Sequence, residues 1–122
     1  MPIRTYRDLD VFQESYKAAL DVSKLVRRFP PFEQMELGRQ LRRAARSVPA
    51  NIVEGWAKRN SAQEFKRYLQ NAIGSCHETQ FWLELAKDEN YITREEHEDL
   101  RNRYNRIGAM LQRLWERWKK LA

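Results

Sequence analysis

Between Leu37 and Ile52 the chain interleaves two sets of residues that a helix sorts onto two sides. Arg39, Arg42, Arg43 and Arg46 are spaced i, i+3, i+4, i+7, which is a single stripe of helical surface. Leu37, Leu41, Ala44, Val48 and Ile52 fall on roughly the opposite side. One face is built to pack inward, and the other offers guanidinium groups to something anionic.

The rest of the chain repeats the helical period without the arginines. Asp8 is a fair N-cap for a first helix over 8–28, with Leu9, Phe12, Tyr16, Ala19, Leu20 and Ser23 as its inward face. Pro30-Pro31 ends it. A second helix is expected over 32–56, with Glu33 and Glu36 near its positive end. Pro49 lies inside it, so a kink or short break is expected there, and Gly55 is a natural stop. Asn51 is placed to satisfy backbone groups freed by Pro49, and Glu54 to pair with an arginine. Ser61-Ala-Gln-Glu64 and Thr93-Arg-Glu-Glu96 read as capping boxes that open helices over 61–89 and 93–120. The fourth has an acidic start and a basic end at Arg113, Arg117, Lys119 and Lys120, matching the helix dipole. Four helices joined by short turns imply an all-α, antiparallel up-and-down four-helix bundle. The 122 residues form one domain, 1–122.

The net charge of +6 is localised. Residues 1–26 hold four basic and four acidic groups, and residues 68–122 hold nine of each. Residues 27–67 hold ten basic groups against four acidic ones. Lys58, Arg59, Lys66 and Arg67 continue the charge beyond the arginine stripe, around the turn into the third helix, and Trp56 sits beside them. Guanidinium suits phosphate, and an aromatic ring suits a base. These eight cations are the candidate contacts to RNA or DNA, led by phosphate or shape because no base-reading motif is present. The competing reading is a solvated face that pairs with acidic groups of a neighbouring helix or subunit.

Two helices also carry more apolar surface than one bundle hides. Val11, Ala18, Val22 and Leu25 lie opposite the Leu9–Phe12–Tyr16 stripe, and Phe81, Trp82 and Leu85 lie off the Leu69–Cys76–Leu83 stripe. These seven are expected to mediate self-association, unless loops or chain ends cover them. Catalytic and metal chemistry has no evident residues. Neither His77 nor His97 follows a Glu at the spacing of a di-iron site, and no Cys/His cluster has zinc spacing. No arginine precedes a histidine in the Arg-x(4–6)-His pattern of a helical RNase family. Cys76 reads as a small core residue, and a single cysteine allows no intrachain disulfide. No cofactor and no enzymatic activity are expected. With neither a signal peptide nor a long apolar run, no membrane association is expected and the cytoplasm is the expected compartment.

Gln40-Leu-Arg-Arg-Ala-Ala-Arg-Ser-Val-Pro-Ala-Asn-Ile-Val-Glu-Gly55 resembles the hallmark of the bacterial four helix bundle proteins, a family that includes proteins encoded by intervening sequences in 23S rRNA genes. The family pattern reads approximately Q-L-R-R-A-x-x-S-I-P-x-N-I-A-E-G, with mild departures here at Val48 and Val53. Gly74-Ser75 with Glu78 and Leu83, the start Asp8-Leu9-Asp10-Val11-Phe12, and Phe29-Pro30 are similar to further family segments. The resemblance implies a homopentameric ring of bundles. It also extends to the accessory proteins of diversity-generating retroelements, which implies RNA, DNA or a reverse transcriptase as a partner. By that likeness Arg39, Arg42, Arg43 and Arg46 contact nucleic acid or line subunit contacts.

Overall fold

Four helices hold nearly all of the regular structure: α1 (Asp10–Val26), α2 (Leu37–Ala57), α3 (Ala62–Asp88) and α4 (Arg94–Leu121). The computed structural model describes residues 2–121, with side chains as far as Trp118. Lys119 and Lys120 therefore lie outside the described side chains. Two single 3-10 turns, Tyr6–Asp8 and Pro31–Glu33, precede α1 and α2, and no strand occurs among the described residues.

Local chemistry sets the helix starts. Thr93 and Glu96 form a complete capping box: the Glu96 N–H donates to Thr93 Oγ1 (3.0 Å) and the Thr93 N–H donates to Glu96 Oε1 (2.8 Å). At α3 only half of the box forms. The Glu64 N–H donates to Ser61 Oγ (3.2 Å), while the Glu64 carboxylate turns to Arg67. Asp8 does not cap α1. Its carboxylate accepts from the Arg4 and Thr5 N–H groups and closes the 3-10 turn, and α1 begins two residues later. Residues 32–36 stay outside α2, where Glu33 Oε1 accepts the Leu37 N–H (3.3 Å). Asn90 takes a left-handed φ of 66° after α3, a conformation asparagine tolerates.

The connections at 58–61 and 89–93 are too short for anything but antiparallel neighbours. Each helix packs on its sequence neighbours, and α4 closes back on α1. Phe65, Leu41, Ile52, Leu69, Leu83, Ile107 and Leu111 are fully buried between them, each worth about 1.5–3 kcal/mol of transfer free energy. Gly55 does not stop α2, which runs on to Ala57. It lies where α2 and α3 touch, and a Cβ there would sit 2.9 Å from both Phe65 Cδ1 and Tyr68 Cβ. Pro49 does not break α2 either. Asn51 Nδ2 donates to the Ser47 carbonyl (2.8 Å) and Ser47 Oγ (3.0 Å). The carbonyl that Pro49 deprives of its helical donor belongs to Ala45 instead.

The burial of α1 corrects the expected faces. Val11, Ala18, Val22 and Leu25 are core residues of the single chain and cannot serve as an interface between chains. Tyr16 and Leu20, expected inward, are both 49% exposed. The buried arc is rotated toward Val11–Ala18–Val22–Leu25, so the outward apolar surface lies toward α2. On α3, Phe81 is 56% exposed, Leu85 is exposed and Trp82 is half-buried.

Candidate nucleic-acid interface

The outer line of α2 consists of Arg39, Arg43, Arg46, Ala50, Glu54 and Ala57, all exposed. None of Arg39, Arg42, Arg43 and Arg46 has a carboxylate oxygen within 4.0 Å among the described residues. Their contacts are neutral. Arg46 Nη2 donates weakly to Ser23 Oγ on α1 (3.5 Å), and Arg39 Nη2 lies 3.8 Å from Met35 Sδ. Arg42 is different. Half-buried, it donates to the Gln34 carbonyl (3.1 Å) and Gln34 Oε1 (3.4 Å). The Gln34 amide in turn donates to the carbonyls of Val26 (2.7 Å) and Phe29 (3.0 Å). Arg42 thus braces the α1–α2 connection and is less free than its three neighbours. Unpaired like charges at i,i+3 and i,i+4 cost a helix a few tenths of a kcal/mol per pair, a cost that an external anion would relieve.

Lys58, Arg59, Lys66 and Arg67 form a second patch at the other end of α2. Arg46 and Lys58 lie about 18 Å apart along the helix, beyond the Debye length of about 8 Å at physiological salt. The basic surface is therefore two patches and not one continuous band. Each cation of the second patch rests on an aromatic ring. Lys58 Nζ donates to Tyr68 Oη (2.9 Å), Arg59 lies 4.4 Å from the Trp56 ring centre, and Lys66 lies 4.0 Å from that of Trp115. Arg67 sits over Tyr68 (4.6 Å) but also donates twice to Glu64 at 3.2 Å. The hydrogen bond from Arg67 holds the Glu64 carboxyl below its usual range, so Arg67 is already neutralised. Trp56 has Arg59 over its ring and meets Phe65 in a T-shaped pair with ring centres 6.5 Å apart, which limits its use as a stacking platform for a base. Glu54 has no ion-pair partner among the described residues.

Sequence reasoning missed Tyr68 and Trp115 as ring partners, and Arg7 and Arg27 as neighbours of Arg46. Those three arginines rim a groove of about 470 Å³ between α1 and α2, floored by Tyr16, Leu20, Pro49 and Val53. Trp115 is on α4, and nothing local in the sequence joins it to Lys66.

The segments around Pro49 and Gly74 meet in space. Ser47 Oγ and Ser75 Oγ are 2.8 Å apart, and Thr79 Oγ1 donates to the Ser75 carbonyl (2.7 Å). With Asn51 they form a short polar seam between α2 and α3. Glu78 accepts from Trp82 Nε1 (3.0 Å) and steadies that indole. Burial pushes the Cys76 thiol up to about 12, so it stays protonated. Among the described residues no group of three or more His, Cys, Asp or Glu side chains is placed to hold a metal ion, and no helix is long and apolar enough to cross a membrane.

The crystal structure of a protein of unknown function from the S23 ribosomal protein family of Bacteroides thetaiotaomicron VPI-5482 superposes with a TM-score of 0.75 at 29% identity, covering 86% of this chain and 97% of that one. No curated protein matches. The family model described as 23S rRNA-intervening sequence protein matches residues 7–113. That span includes the arginine stripe, the Ser47–Ser75 seam and most of the four helices, and the chain belongs to the 23S rRNA-intervening sequence protein family.

Proposed function

We propose that this chain is a non-enzymatic, self-associating bundle that binds structured RNA or DNA through the outer face of α2. One observation carries the reading: Arg39, Arg42, Arg43 and Arg46 share a helix face with no carboxylate within 4.0 Å among the described residues. Unneutralised guanidiniums at helical spacing can bridge successive phosphates, each with two parallel hydrogen bonds. The Cys76 thiol, buried and kept protonated, suits packing better than attack on a substrate, which supports a binding role.

Filter binding of a structured RNA and a duplex DNA at two salt concentrations tests this. Affinity is expected to fall steeply with salt, with a log–log slope of about −0.9 per phosphate contacted on duplex DNA. Replacing the four arginines with glutamine should flatten that slope and weaken binding uniformly across sequences. Unchanged affinity and slope would remove the stripe from the function.

The exposed Tyr16, Leu20, Phe81 and Leu85 favour a second property, assembly with further copies. A ring of five is the count that the family resemblance suggests, and light scattering of the full chain measures it.

A further inference from the structure

The two exposed apolar surfaces carry opposite charges. The groove between α1 and α2 has Tyr16, Leu20 and Val53 in its floor and Arg7, Arg27 and Arg46 on its rim, and among the described residues no carboxylate lines it. The ridge on α3 presents Phe81 and Leu85 outward, with Trp82 beside them. The depression next to Trp82 and Leu85 is lined by Glu33, Glu36 and Glu89 and, among the described residues, by no basic side chain. Glu78 lies one turn before Trp82 and accepts its indole N–H. The nearby Lys87 is tied to Asp88 at 3.7 Å.

We infer that copies of the chain join head to tail, with the acidic, aromatic ridge of α3 on one copy seated in the basic, apolar groove between α1 and α2 on the next. This deepens the self-association proposed above by naming the faces that meet. Charge selects the pairing. Groove against groove would set arginine against arginine, and ridge against ridge would set glutamate against glutamate. Only the crossed arrangement pairs every rim, and one chain supplies both halves of it.

A second observation points to the same face. Gly74 lies on α3 in line with Glu78, Phe81 and Leu85 at i, i+4, i+7 and i+11. Nothing comes within 4 Å of a Cβ built there. An exposed glycine inside a helix costs about 1 kcal/mol relative to alanine, and no contact among the described residues accounts for it. A neighbouring copy brought close against α3 does. The contact is heterologous, so each joined copy still offers one groove and one ridge, and the assembly closes into a ring or extends. It also divides the arginine stripe. Arg46 faces the neighbouring subunit, which leaves Arg39 and Arg43 as the fully exposed pair for a polyanion.

Sedimentation of the full chain tests the proposal, with circular dichroism confirming that each variant stays helical. The unsubstituted chain should associate at micromolar concentration. Phe81→Glu and, separately, Leu20→Glu should each weaken association by at least about 30-fold, the size of losing one interface anchor. Gly74→Arg, at a position where the single chain has open space, should do the same without unfolding it. R27E/R46E and E36R/E89R should each be monomeric alone and should associate when mixed, because each supplies the charge the other now needs. A chain that is monomeric before substitution would overturn both the self-association and the faces. An oligomer indifferent to Phe81→Glu, Leu20→Glu and Gly74→Arg would overturn the faces alone. Charge-swapped variants that stay associated separately, or stay apart when mixed, would overturn the crossed pairing.

Discussion

The seam between α1 and α4 and the outer face of α2 are both rich in arginine, yet they differ in what surrounds each guanidinium. On the seam Arg28, Arg103 and Arg106 each meet a carboxylate. Arg103 lies between Asp21 (2.9 Å) and Asp99 (3.6 Å), Arg106 reaches Glu14 (4.0 Å), and Arg28 forms a two-pronged pair with Glu96. On α2 no arginine of the stripe has such a partner among the described residues. The seam therefore carries many charges and little field, whereas α2 concentrates the excess of ten basic over four acidic groups in residues 27–67. Pairing, more than the count of arginines, separates a joint from a binding surface.

Substitutions on the two surfaces should separate stability from affinity. The largest effect is expected on α2, where the fourfold change of Arg39, Arg42, Arg43 and Arg46 to glutamine should reduce nucleic-acid affinity by about 100-fold at low salt. A paired change of Arg39 and Arg43 to glutamine, which spares the Arg42 brace on Gln34, should leave the melting temperature level or slightly raised as like-charge neighbours disappear. The opposite outcome, a loss of stability with affinity intact, would place these arginines with those of the seam. On the seam, Arg103→Gln leaves Asp21 and Asp99 facing each other without a cation. It should cost about 1 kcal/mol and lower the melting temperature by about 3–5 °C, while affinity stays within about twofold.

Acid should weaken the seam. The hydrogen bond from Arg28, and next the one from the Thr93 backbone, hold the Glu96 carboxyl down at about 2, against a usual 4.5. Because the folded value is the lower one, this stabilisation is present above about pH 4.5 and is lost as the pH falls toward 2. Chemical denaturation across that window should show the loss, and Glu96→Gln should flatten it. The smallest effect is expected at the second patch. Arg67→Gln should leave binding and melting temperature unchanged because Glu64 already satisfies that side chain. Lys66→Gln, at a cation held only against Trp115, should weaken binding a few-fold.

The helical class was legible because its signals are local. Apolar spacing, Pro30-Pro31 and the Thr93–Glu96 box act within a few residues, and all of them appear in the structure. The inward face of α1 was not legible. Apolar residues cover a wide arc of that helix, and only the positions of α2 and α4 decide that Val22 goes in and Leu20 comes out. Gly55 read as a helix stop because a sequence does not show which helix lies 2.9 Å away. The arginine stripe was visible as a pattern, but its division was not. Gln34 recruits Arg42 from eight residues away, and Ser23 meets Arg46 from the preceding helix. In the same way Lys66 and Trp115 come together only after α3 and α4 have packed.

The lone cysteine gives the bundle a gauge of its own breathing. Cys76 sits at zero exposure between the helices, with its sulfur protonated far above neutral pH. An alkylating reagent can reach it only during a large opening of the structure, so the labelling rate at pH 8 reports the fraction of time the bundle spends open. No tag or engineered probe is required, and added polyanion or assembly with further copies would register directly as slower modification of a single atom.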